Sequence, residues 1–121
     1  MKKLVLGALL SLSISTFAQG TFVVKYKSFL TYINNVKSEI ILNDTTFVFN
    51  DGDTTDIVIY VLPEEFRYYR TGKIIKGKTT GGSEYQLVDC IDAKTGKIAT
   101  IQLFDTAVRV FLGDDYIEYQ K

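Results

Sequence analysis

EYQLVDCIDAKTGKIATIQLFDTAVRVFLGDDYIEYQ, running from Glu84 to Gln120, is the stretch that decides the fold. Glu84 to Asp92, Lys97 to Phe104, Ala107 to Leu112 and Tyr116 to Gln120 are short runs rich in Val, Ile, Leu, Phe and Tyr. Their side chains alternate with period two, the repeat of a strand with one face turned to a core. Two of the joints read as hairpin turns. Ala93-Lys94-Thr95-Gly96 ends on a glycine suited to a left-handed closing position, and Gly113-Asp114-Asp115 holds turn-forming residues.

The same reading extends upstream. Thr21 to Lys27 reads as a strand, and Phe29 to Val36 is ambiguous, stopped by Asn34-Asn35. Lys37 to Leu42 and Thr46 to Asn50 read as a hairpin joined through Asn43-Asp44. Asp56 to Val61 follows and ends before Pro63, which lacks a ladder donor; Glu65 to Thr71 then leads into a long connection through Gly77, Gly81 and Gly82. Nine runs joined by short turns predict an all-β, single-domain antiparallel meander, closed or partly rolled into a β-barrel with a filled core. The apolar candidates, among them Phe22, Val24, Tyr26, Phe47, Phe49, Ile57, Ile59, Tyr85, Leu87 and Ile91, are enough to fill the interior of an eight-stranded barrel. The alternative is a β-sandwich, because Ile40-Ile41 and Val110-Phe111-Leu112 are apolar on both faces.

Ahead of the strands stand Lys2 and Lys3, an apolar run from Leu4 to Ile14, and Thr16-Phe17-Ala18. This is the order of a secretory signal peptide (1–18) cut after Ala18, with small residues at −3 and −1. The apolar run is shorter than the roughly 20 residues a spanning helix needs. The expectation is an exported protein, periplasmic or extracellular, whose mature single β domain is residues 19–121, with no transmembrane segment once the signal is removed. Cleavage leaves twelve basic against fourteen acidic side chains, a net charge of −2, so bulk charge argues against a nucleic-acid partner.

The residue inventory narrows the chemistry. With no histidine, imidazole triads and histidine metal sites are ruled out, and the single cysteine, Cys90, rules out a disulfide within the chain and multi-thiolate zinc. Cys90 reads as an inert core residue. No cofactor and no enzyme activity are expected.

Between Glu65 and Glu84 no acid occurs, while Arg67, Arg70, Lys73, Lys76 and Lys78 are interleaved with Phe66, Tyr68 and Tyr69. Positive charge beside aromatic faces is how proteins hold polyanions and sugars, so Arg67, Tyr69, Arg70, Lys73, Lys76 and Lys78 are the candidate ligand-binding residues. A regular strand puts Arg67 and Tyr69 on one face and Phe66, Tyr68 and Arg70 on the other. Three further patterns fall in predicted turns. Asp51, Asp53 and Asp56 offer hard oxygen ligands of the kind calcium takes, without the spacing of a calcium loop. Thr45, Thr54 and Thr106 each follow an Asp and are candidate O-glycosylation acceptors of a bacterial type.

Gly72 to Thr79 matches G-x-x-x-x-G-K-[ST] and over those eight residues resembles the phosphate loop of the P-loop NTPase family. In that family a helix follows the loop and its N-terminus holds the phosphates. Here Thr80-Gly81-Gly82-Ser83 and then a strand follow, so the expectation is a lysine-bearing connection. The leading function is therefore a small exported, non-catalytic binding domain, with an envelope protein or an anionic glycan as partner. The alternatives are a lipocalin-like carrier of a small apolar ligand and a structural subunit of an envelope assembly.

Overall fold

The computed structural model describes Phe17, residues 20–52 and residues 54–121. The signal reading of 1–18, with its cut at Ala18, lies outside these residues except for Phe17, and Asp53 also lies outside them. Ten strands follow in chain order, with no helix among the described residues: β1 Phe22–Ile33, β2 Val36–Lys37, β3 Ile41–Phe49, β4 Ile57–Val61, β5 Glu64–Arg70, β6 Ile75–Lys78, β7 Glu84–Asp92, β8 Ile98–Phe104, β9 Ala107–Leu112 and β10 Asp115–Gln120.

Every pairing is antiparallel, and the order β10-β9-β8-β7-β5-β4-β3-β1 is closed by β1 against β10. The long β1 makes closure possible. Its first part, Phe22 to Phe29, pairs with β3, and its last part, Ser28 to Tyr32, pairs with β10. The result is an eight-stranded barrel, with β2 as a short flap on β1 and β6 continuing the line of β5 along the same edge of β7. Closure removes the free edges that an open sheet of this length would present.

Side chains fill the interior. Tyr26, Phe47, Phe49 and Tyr119 form a chain of ring contacts with centroids 5.0–6.4 Å apart. Ile57, Ile59, Val88, Cys90, Ile101, Val108 and Val110 belong to the same cluster. An eight-stranded barrel is just wide enough for such a filling.

Three local expectations change. The hairpin turn falls at Asn34-Asn35, not at Asn43-Asp44: both asparagines have positive φ (52° and 64°), as a two-residue type I′ turn requires. Asn43 and Asp44 instead lie within β3, at an irregularity opposite Tyr26 to Ser28 where β3 carries one extra residue. Through it β1 keeps Val24, Tyr26, Ser28 and Leu30 buried in alternation, and Phe29 is a half-buried neighbour of the core. In β7 the inward residues are Gln86, Val88 and Cys90, and Tyr85, Leu87 and Ile91 take the other face. Tyr85 lies across Gly77 on the paired strand, where a Cβ would come within 2.6 Å of its ring.

Candidate functional site

One end of the barrel gathers the end of β3, the start of β4, the end of β5 and the start of β7. Phe17 sits there with 2% of its surface exposed. Its ring packs edge-to-face with Phe49 at 5.7 Å, and Phe49 in turn stacks on Phe22 at 4.7 Å. The polar atoms of Phe17 are all engaged. Its N–H donates to Gln86 Oε1 at 3.3 Å, and its carbonyl accepts from Asn50 Nδ2 at 3.0 Å and from Arg70 Nη1 at 3.3 Å. Asn50 has φ 54°, a conformation asparagine tolerates, which ends β3 and turns its amide toward Phe17.

Arg70, the last residue of β5, points to this mouth because Phe66, Tyr68 and Arg70 share the inner face, as the strand alternation predicts. Its Nη1 donates to Asn50 Oδ1 at 2.7 Å, its guanidinium carbon lies 5.8 Å from the Phe17 ring centroid, and its Nε is buried with no hydrogen-bond partner. The other two arginines are matched to carboxylates. Arg67, on the outer face, bonds Asp51 Oδ2 and Asp56 Oδ2, each at 2.9 Å, and these bonds raise its pKa. Arg109 bonds Glu118 Oε1 at 2.7 Å and lies between the rings of Phe104 and Tyr116, 5.2 Å from each centroid. No carboxylate lies within 4.0 Å of Arg70 among the described residues.

The six predicted ligand-binding residues therefore do not form a single patch. Arg67 is held between two acids, and Tyr69 is exposed on the same outer face. Arg70 turns into the mouth. Lys73 and Lys76 are exposed in the connection and in β6, and Lys78 faces Glu84 at 3.8 Å. Asp51 and Asp56 do converge, but on Arg67. Among the described residues no three His, Cys, Asp or Glu side chains are arranged to hold a metal. The expectation that Thr45 lies in an accessible turn is corrected: it is 1% exposed inside β3, opposite Tyr26, whereas Thr54 and Thr106 are on exposed turns. The phosphate-loop match is a bend followed by β6, and its second glycine makes room for Tyr85.

Cys90 is fully buried, its thiol pushed up to about 12 by burial, with the Arg70 charge opposing and Asp89 adding to the rise. An outer groove of about 1040 Å³ beside the same end is lined by Arg109, Glu118, Gln120, Phe104 and Thr106. Burial works to raise Glu118, but hydrogen bonds from Gln120 and Arg109 and the charges of Arg109 and Lys37 outweigh it and hold the carboxyl below its usual value. Sequence reading missed the pair Arg109–Glu118. Its signal is the one charge of β9 and an acid of β10, placed opposite one another by the register. It also missed Phe17, Asn50 and Gln86, which come from three distant parts of the chain.

Neither a protein-family model nor a curated protein nor a solved structure is matched by this chain.

Proposed function

We propose that the protein is an exported, non-catalytic binding domain that receives an anionic group at the polar mouth of the barrel, with Arg70 as the receiving charge. The observation that carries this reading is the contrast among the three arginines: Arg67 and Arg109 are matched by carboxylates, and Arg70 is not. A guanidinium held at a mouth with an unused Nε is a ready site for a carboxylate or sulfate, since charge-assisted bonds to arginine are the strong ones. Lys73 and Lys76, in the exposed segment just after β5, add to the positive field that draws an anion in. The filled interior supports a surface-binding role over a carrier.

Calorimetry of the exported protein against a panel of anionic glycans and acidic peptides tests the reading. Binding is expected to weaken at least about tenfold in Arg70→Gln and to stay unchanged in Lys94→Gln at the opposite end. Equal binding by wild type and Arg70→Gln, or no binding across the panel, overturns it.

A further inference from the structure

Phe17 makes the contacts that a bound ligand would make. Its ring is packed on Phe49 and faced by Arg70, its N–H is accepted by Gln86, and its carbonyl takes two donors, Asn50 and Arg70. The receiving side chains come from the end of β3, the end of β5 and the start of β7, so the seat is built by the barrel and not by the segment that occupies it. The sequence independently puts a signal cut after Ala18, one residue beyond Phe17.

We infer that export vacates this seat, and that the mature barrel takes into it the C-terminal aromatic residue of a peptide, ring on Phe49 and terminal carboxylate on Arg70 and Asn50. This rests on the reading that Arg70 receives an anion and names the class of that anion. The ring requirement follows from the wall: Phe49 makes an edge-to-face contact, and the guanidinium offers a cation over the ring. Gln86 Oε1 selects a ligand with an N–H on the same residue, as in an acylated amino acid or a peptide.

The preference for a carboxylate over an amide carbonyl follows from charge. Among the described residues of the seat the only formal charge is Arg70, whose Nε has no acceptor while Phe17 fills the site. Asp51 and Asp56, both in the 50–56 connection, are engaged by Arg67. A ligand carboxylate thus meets the Arg70 guanidinium, and a neutral carbonyl gains much less from it.

The experiment takes the full chain expressed with its signal in a bacterial host. It determines the N-terminal residue of the exported form and titrates that form with N-acetyl-L-phenylalanine, N-acetyl-L-phenylalaninamide and N-acetyl-L-alanine. The expected result is an N-terminus after Phe17, with the acid bound at least about tenfold more tightly than the amide and than the alanine analogue, and a further loss in Arg70→Gln. The ligand series carries the test by itself should Arg70→Gln fold poorly. An exported form that still begins at or before Phe17 overturns the inference, because the seat stays filled. Equal binding of acid and amide, or of the phenylalanine and alanine acids, overturns it, as does no binding at ~10 mM. In those last cases the anion reading itself falls only if the glycan and acidic-peptide panel also fails to distinguish Arg70→Gln.

Discussion

The connections at one end of the barrel are 50–56, 71–74, 79–83 and 105–106, and those at the other are 34–35, 62–63, 93–97 and 113–114. The first set is polar and tied into the structure. Thr21 Oγ1 donates to the Asn50 carbonyl at 2.6 Å, Thr54 Oγ1 to the Asp51 carbonyl at 2.6 Å, and Arg67 braces the 50–56 loop from the outer face. At or beside the second set stand the exposed aliphatic side chains Ile33, Val36, Leu62, Ile98 and Leu112, with Leu62 87% exposed, while beside the first stand Val23 and Ile75. Within the polar end, aromatic rings and bonded polar groups close the core. At the aliphatic end the hairpin turns close themselves, so the side chains they carry are not needed for the fold. The difference separates residues that hold the barrel shut from residues that merely ride on it.

The largest effect belongs to the polar end. Phe49→Ala removes a fully buried ring that touches Phe17, Phe22 and Phe47, and it should lower stability by about 3–5 kcal/mol in denaturant unfolding. A loss as small as that of a surface substitution would mean that Phe49 does not close this end. Gly77→Ala comes next. Its Cβ meets the far end of the Tyr85 ring, a side chain able to swing away, so the cost should be about 1 kcal/mol and should largely vanish in a Tyr85→Ala background.

Acid titration should show a smaller contribution from Glu118. Its folded pKa is depressed, so the stabilisation from its ionised form is fully present above the unfolded value of 4.5 and is lost as pH falls through the folded pKa. Glu118→Gln should therefore flatten the stability profile below pH 4.5, and an unchanged profile would remove the pair from the account. At the alkaline side the signs reverse. Burial raises Tyr26, Tyr68 and Tyr119, the last to about 12, so these phenols favour the folded state below the unfolded value of 10.0 and lose that favour as pH rises beyond it. Ultraviolet titration should find their ionisation delayed until the barrel opens. The smallest effect lies at the aliphatic end, where Leu62→Ser should change stability by no more than about 0.5 kcal/mol.

Much of the barrel was legible because its strands alternate cleanly: β7 and β9 fall on the predicted spans, and β4, β5, β8 and β10 within one residue of them. Where the reading slipped, two phases or two turns competed. In β7 both faces carry apolar side chains, and the larger ones, Tyr85, Leu87 and Ile91, drew the assignment inward. Asp89 lies on their face, and that is the residue that marks it as the outer one. Asn34-Asn35 and Asn43-Asp44 look alike as turn signals, and only the register of β1 against β3 tells which pair bends the chain. The candidate site was half legible. Arg70 was in the predicted set and on the predicted face, but that Arg67 is neutralised by Asp51 and Asp56 depends on contacts across a seven-residue loop that no local pattern encodes. Phe17 reads locally as the end of an apolar leader, and its packing on Phe49 exists only once the barrel is closed.

The central claim is that the polar mouth, and not the aliphatic end, is where this protein binds. It is tested most directly by following the amide signals of residues 19–121 in nuclear magnetic resonance spectra as N-acetyl-L-phenylalanine is added. The account predicts shifts in the side-chain amides of Asn50 and Gln86 and in the backbone around Arg70, with Ile33, Val36, Leu62 and Leu112 unmoved. Shifts confined to those four aliphatic positions, or none at either end, would contradict it.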